Sequence, residues 1–299
     1  MRPELIQAVE LLRSPDPDAV DQALHLLQST IFSFSMKVCG HREDAEDTMQ
    51  EVLLKSLPVL RKIENPQALA VWLYKVTRNR CWMSRRHSKF APSHLMSLDE
   101  LMPGSQELEA LADASRKTPE AESIAQQQAE RLQTAVLRIP AKYRLILVLH
   151  DMEDLSSAEI AKITGLQEGT IRVRLHRARL FVRRELAALG TKKSEKAGKR
   201  KARPVDCRRI FAGLSDYMDG IVDDLACERF QMHIQNCGPC VAFLEDLSRA
   251  VERCRSYQVG CLPETAAAVR KLLVQEYLRF SHPNGSSNST VGSRKSVGK

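Results

Sequence analysis

The sequence predicts an all-helical protein built from small units in tandem. Little glycine, few aromatic residues and the absence of alternating strand segments argue against sheets, while apolar residues recur at helical spacing in the segments taken below. At 299 residues and 43% hydrophobic content the chain can fill two or three small cores. Its formal net charge of +8 favours a polyanionic partner without choosing between nucleic acid and an acidic membrane surface. Glu4 and Glu10 stand where a signal peptide needs an apolar core, and no run reaches transmembrane length, so a cytoplasmic protein without a membrane partner is expected. In a reducing compartment the eight cysteines are expected as metal ligands, redox sensors or core residues, not as a disulfide framework.

Residues 1–95 read as one helical domain whose charge reverses along the chain. From His41 to Lys55, Ala45, Met49, Val52 and Leu53 form a packing stripe, leaving Asp44, Asp47, Gln50 and Glu51 on exposed faces. Taken alone, that acidic face can be a plain solvated one. From Arg61 to Phe90, Arg61, Lys62, Lys75, Arg78, Arg80, Arg85, Arg86 and Lys89 stand against the single acid Glu64, with Trp72, Tyr74, Trp82 and Phe90 among them. Cations that track phosphates beside aromatics that stack on unpaired bases make a single-stranded DNA surface. Core packing is the alternative for the aromatics, since Leu69, Trp72 and Val76 share a helical face.

Residues 96–125 are acidic and loosely patterned and are expected as a linker. Residues 126–189 then read as a domain with the layout of a helix-turn-helix. Ser156 and Ser157 are N-cap candidates for a short helix, and Gly165 in the turn Thr164-Gly165-Leu166-Gln167 can take the positive φ that closes it. In the next helix Ile171, Leu175, Ala178 and Val182 recur at packing positions. Arg172, Arg174, His176, Arg177, Arg179, Arg183 and Arg184 are expected to make the remaining faces cationic. Arginine content alone fits a solvated amphipathic helix; the capped helix and glycine turn before it point to DNA recognition.

A basic linker follows at 190–205, either a spacer or a source of sequence-independent DNA attraction. Residues 206–257 hold Cys207, His233, Cys237 and Cys240, a C-x25-H-x3-C-x2-C arrangement. His233 and Cys237 are one helical turn apart, and Cys237-Gly238-Pro239-Cys240 is a knuckle that lets two thiolates meet one ion. This soft donor set favours one zinc ion, with copper(I) or iron as weaker options. Four protein ligands leave no open position, so the role is structural or regulatory. The competing thioredoxin-like Cys-x-x-Cys lacks a surrounding βαβ pattern, and an unrelated set of core residues is the remaining alternative. Cys227 and Cys254 are possible spare ligands; Cys39, Cys81 and Cys261 carry no spacing signal. Residues 258–299 are expected as one amphipathic helix, Glu264 to Phe280, followed by a disordered tail.

DAEDTMQEVLLKSLPVL followed by ALAVWLYKVTRNRCWMSRR resembles region 2 of bacterial sigma factors, and the stretch from Ile139 to Arg179 resembles region 4. The matching blocks are Asp44-Ala45-Glu46-Asp47 with Gln50-Glu51, Trp72-Leu73 with Asn79, and Gly169-Thr170, Arg174-Leu175 and Arg177-Ala178-Arg179. Leu69 departs from the Phe common before the Trp-Leu pair. The compact layout, over about residues 5–188, resembles the extracytoplasmic-function (group 4) members of the sigma-70 family. That resemblance implies a transcription initiation factor that binds RNA polymerase core, melts the −10 element and recognises the −35 element of promoter DNA. Asp44, Asp47, Gln50 and Glu51 would dock on the β′ coiled coil, with a second contact at the β flap. Asn65, Trp72, Lys75, Arg78, Asn79 and Arg80 would act at −10, and Thr170, Arg172, Val173, Arg174 and Arg177 at −35. The acidic linker would thread the polymerase near the RNA exit path.

LSDYMDGIVDD and ERFQMHIQNCGPCVAFLEDL resemble a zinc-binding anti-sigma domain, here fused behind region 4. This implies an intramolecular contact with the sigma domains that responds to metal or redox state, although zinc can equally be only a staple. A one-component metal- or redox-responsive repressor or activator would share the helix-turn-helix and the metal site, but has no use for an acidic helix followed by a basic aromatic one. No Ser/His/Asp set, phosphate loop or open metal site suggests an enzyme.

Overall fold

The helices of the computed structural model begin and end where local chemistry dictates. The structure describes residues 3–60, 62–83, 101, 123–190, 205–259 and 262–281. Helix α1 (Pro3–Leu11) leads to α2 (Pro17–Cys39), which has Asp16 as N-cap, proline in its first turn and Gly40 at φ +79° as the left-handed stop. Helices α3 (Arg42–Leu60) and α4 (Pro66–Met83) complete a bundle whose core includes Leu24, Leu27, Ile31, Phe34, Met49, Leu53, Leu69 and Leu73, all essentially inaccessible.

The second bundle comprises α5 (Ser123–Arg138), α6 (Ala141–Leu147), a π-helical turn (Val148–Met152), α7 (Ser157–Thr164) and α8 (Glu168–Gly190). Helix α5 begins inside the segment expected as linker. Leu101, also in that segment, is buried in the common core. Of the two serines proposed as caps, Ser156 takes the role: its hydroxyl accepts from the Glu159 N–H while the Glu159 carboxylate accepts from the Ser156 N–H, a complete capping box. Gly165 closes α7 at φ +74°.

The third unit has α9 (Val205–Ala212), α10 (Leu214–Met218), α11 (Asp224–Asn236) and α12 (Gly238–Arg255). A final helix, α13 (Thr265–Ser281), leaves it and packs on α2 and α3. The expected all-helical class holds, with no strand among the described residues.

These units do not sit apart. Helix α4 of the first bundle packs on α7 of the second, and α12 and α10 pack on α8. No helix among the described residues is long and apolar enough to cross a membrane.

Candidate functional site

In α3 the stripe Ala45, Met49, Val52 and Leu53 is buried, as the 3.6-residue period requires, leaving Asp47 exposed and Asp44, Gln50 and Glu51 half-buried. Glu51 is not a free acid: it pairs with Lys55 one turn on and with Arg80 of α4. The Lys55 hydrogen bond holds its carboxyl below the ordinary glutamate range, with Arg80 adding to the effect. The acidic and basic faces therefore meet along one edge.

In α4, Leu69 is fully buried, Trp72 and Val76 are half-buried against the core, and Tyr74 is buried, edge-on to Phe34 at 5.0 Å. Lys75 and Asn79 are exposed, and Arg80 is half-buried. Asn65 precedes the helix and caps it, its side chain accepting from the Gln67 N–H at 2.8 Å. Arg78 turns to the second bundle, donating from Nη1 to the Ile163 carbonyl at 2.6 Å at the end of α7. Beside it Gln67 donates to Glu159 at 3.0 Å. Arg61, Arg85, Arg86, Lys89 and Phe90 lie outside the described residues, as does the Trp82 side chain; so do residues 191–204, most of 96–122, Cys261 and residues 282–299.

Helix α8 corrects the expectation of one packed and several cationic faces. Ile171, Leu175, Ala178 and Val182 are buried, but so are His176, Arg179 and Arg183. Thr170, Arg172, Arg174 and Arg177 are half-buried, and Val173 is 58% exposed. The reason is the third unit, which supplies carboxylates to this second face. Arg179, wholly inaccessible, forks to two partners. Its Nε and Nη2 donate to Asp151 of the π-helical turn at 2.8 and 2.6 Å, and its Nη1 and Nη2 donate to Asp219 after α10, both at 2.8 Å. Such bidentate pairing is the strongest geometry available to a guanidinium. Burial alone would raise the Asp151 carboxyl, but hydrogen bonds from Arg179 and His150 outweigh it and hold it at about 2.

One turn further on, Arg183 Nε donates to Asp246 of α12 at 2.6 Å, and its guanidinium lies over Phe243, 4.7 Å from the centroid. His176 bonds Ser215 through Nδ1 at 2.9 Å and packs edge-on to Phe211, while its Nε2 finds no partner. Burial, then the nearby Arg179 and Arg177, push its pKa down to about 4. Sequence reasoning missed the acidic side of this interface, Asp151, Asp219 and Asp246. A signal was present: positions 172, 176, 179 and 183 recur as regularly as the apolar stripe 171, 175, 178 and 182.

The third unit brings Cys207 of α9, His233 in the last turn of α11, Cys237 at the α11–α12 junction and Cys240 in the first turn of α12 into one cluster. Their ligand atoms lie within 4.8 Å of one another. Cys207 Sγ is 3.6 Å from His233 Nε2 and 4.0 Å from Cys237 Sγ, and His233 Nε2 is 3.3 Å from Cys240 Sγ. A tetrahedral zinc ion with its usual bond lengths has ligand–ligand edges of about 3.5 to 3.8 Å, so the donor set fits that ion. The Gly238-Pro239 pair starts α12 inside the knuckle, and the Cys240 N–H donates to the Cys237 carbonyl at 3.0 Å. Burial, then the neighbouring thiols, push the Cys240 thiol up. Neither expected spare ligand joins the cluster: Cys254 is fully buried in the core, and Cys227 receives a hydrogen bond from Gln231.

Comparison with known proteins finds three family matches along the chain. The Sigma-70 region 2 family matches residues 24–90, Sigma-70 region 4 matches residues 129–182, and a zinc-finger family matches residues 207–240. The chain is similar to the ECF RNA polymerase sigma factor SigW of Bacillus subtilis, at 25% identity over 60% of this chain and 96% of that protein. It is also similar to the ECF sigma factor SigM of Mycobacterium tuberculosis, at 30% identity over 50% of this chain and 67% of that protein. With the sigma factor SigV of Bacillus subtilis it shares 28% identity over 49% of its length and 78% of that protein.

Proposed function

The chain belongs to the extracytoplasmic-function RNA polymerase sigma factors, and we propose that it is a cytoplasmic initiation factor held in a closed state by its own C-terminal module. As a sigma factor it directs RNA polymerase core to promoter DNA. Within that role, Asp44, Asp47, Gln50 and Glu51 dock on the β′ coiled coil, and region 4 takes the β flap. Asn65, Trp72, Lys75, Arg78, Asn79 and Arg80 open and hold the −10 strand. Thr170, Arg172, Val173, Arg174 and Arg177 read the −35 duplex, where Arg reaches guanine edges and Val173 suits a thymine methyl. Cys207, His233, Cys237 and Cys240 hold one zinc ion, which ties α9, α11 and α12 together and leaves no position open for substrate.

What supports regulation is that the chain behind region 4 grips both DNA-reading domains, the third unit holding one and the final helix the other. Helices α10 and α12 hold region 4 through Asp219 on Arg179 and Asp246 on Arg183. Helix α13 holds region 2: Arg270 donates to Asp21 at 2.8 Å, Gln28 donates to the Ala266 carbonyl at 3.0 Å, and the Tyr277 hydroxyl donates to the Leu12 carbonyl. The domains so held touch each other through α4 and α7. By their names, the −10 and −35 elements lie about 25 bp apart, roughly 85 Å along B-DNA at ~3.4 Å per base pair. A protein whose two reading domains are in contact cannot occupy both, so promoter binding requires opening. Thiolate ligands make the module responsive to oxidants as well as to metal.

Run-off transcription with sigma-free polymerase core tests both layers. A promoter-specific transcript supports the sigma role, whereas duplex binding without core would support a one-component repressor. Transcription should rise in Asp219→Asn and Cys237→Ala chains. No change in either variant, under oxidising and reducing conditions, would remove the regulatory reading.

A further inference from the structure

The contact between the two DNA-reading domains contains a buried ion pair that belongs to neither domain's own fold. Glu153 lies just after the π-helical turn, its N–H donating to the Val148 carbonyl at 2.9 Å. The next residue, Asp154, takes a left-handed φ of +56°, a conformation that Asp tolerates better than most residues. From this turn the Glu153 side chain enters region 2. One carboxylate oxygen accepts from Lys37 Nζ, in the last turns of α2, at 2.9 Å. The other accepts from the Tyr74 hydroxyl of α4 at 2.6 Å. The Lys37 and Glu153 side chains are both completely inaccessible. The third module touches the same spot, with the Tyr257 ring 6.0 Å from Lys37 Nζ.

We propose that Lys37, Tyr74 and Glu153 form a latch by which regions 2 and 4 hold each other closed, acting beside the grip of the C-terminal module. This rests on the reading above that the closed state does not occupy a promoter. In separated domains Lys37 and Glu153 would lose each other as partners. A buried pair forfeits hydration nearly equal to its mutual attraction, so it adds little net affinity yet penalises heavily the loss of one partner. These are the properties of a latch that polymerase can open: specific in register, costly to mismatch and weak overall. An apolar contact of the same area would close the domains more firmly.

The same physics predicts opposite outcomes for two variants of the full-length, zinc-loaded chain. Glu153→Gln takes the carboxylate away from the buried Lys37 ammonium, so the closed state should be disfavoured about a hundredfold, with a larger radius of gyration in small-angle scattering. Lys37→Met combined with Glu153→Leu removes both charges and should stay as compact as the parent. Zinc content should be unchanged in each, separating the latch from the metal cluster. A Glu153→Gln chain as compact as the parent, or a double variant that opens as far as the single one, would overturn the latch. Should Glu153→Gln lose helical circular dichroism, Tyr74→Phe takes its place. It keeps the ring on Phe34, removes one hydrogen bond and should open the chain by a smaller factor; no shift there also overturns the proposal. If Glu153→Gln opens the chain but core-dependent transcription does not rise, the latch stands and the autoinhibitory reading fails.

Discussion

The helix-turn-helix and the module behind it are both small helical units, yet they are stabilised by different means. The helix-turn-helix buries its apolar stripe completely: Ile146, Leu149, Ile160, Ile163, Ile171, Leu175, Ala178 and Val182 are all inaccessible or nearly so, and its short helix has a complete capping box. In the C-terminal module the half-buried cluster ties α9, α11 and α12, while Phe211, Phe243 and Ser215 meet side chains of α8. Leu225 and Met232 of α11 remain exposed. One unit is closed by its own apolar stripe; the other gathers a four-residue donor cluster and leans on its neighbour. Such dependence suits a part that must let go.

Metal removal should divide the two units most sharply. Structural zinc sites contribute on the order of 10 kcal/mol to folding. Chelation, or Cys240→Ser, should therefore unfold α9, α11 and α12 while the helix-turn-helix keeps its amide protection in hydrogen exchange. Simultaneous loss of both would mean that the helix-turn-helix has no independent core.

Acidification comes next. His176 is held neutral at the interface, with Phe211 and Ser215 facing it from the module and Arg177 and Arg179 beside it on α8. Its folded pKa, about 4, lies below the solvated value near 6.5. The stabilisation is thus fully present above pH 6.5 and is lost as pH falls toward 4, at most about 3 kcal/mol. Titrating module release by tryptophan-independent probes such as hydrogen exchange should show this slope, and His176→Gln should flatten it.

Asp219→Asn should weaken docking by about 2 kcal/mol, the worth of a hydrogen bond to a charged group, because Arg179 keeps Asp151. A double-mutant cycle with Arg179→Leu would show whether Asp151 and Asp219 compete for one guanidinium. The smallest effect is expected from Ser156→Ala, about 1 kcal/mol, confined to α7 and read as a lower melting midpoint with unchanged zinc content.

Much of this architecture was legible because it is written in short intervals. The alternation 171, 175, 178, 182 specifies a buried stripe, Ser156 and Gly165 mark the ends of α7, and the spacing of Cys207, His233, Cys237 and Cys240 singles out a donor set. Each depends on residues within a turn or two, or on a residue type with narrow chemistry. The charged side chains were misread for the opposite reason. Arg179 and Arg183 look solvent-facing beside Arg172 and Arg184: their regular spacing marks a face but not what covers it, and Asp219 and Asp246 arrive from 40 and 63 residues away. Lys37 and Glu153 are 116 residues apart and each reads as an ordinary surface charge. The sequence by itself determined the helices, their apolar faces, the helix-turn-helix and the metal donor set. Only the tertiary structure decided which charges leave water, because desolvation depends on what covers a side chain, and that cover comes from distant chain.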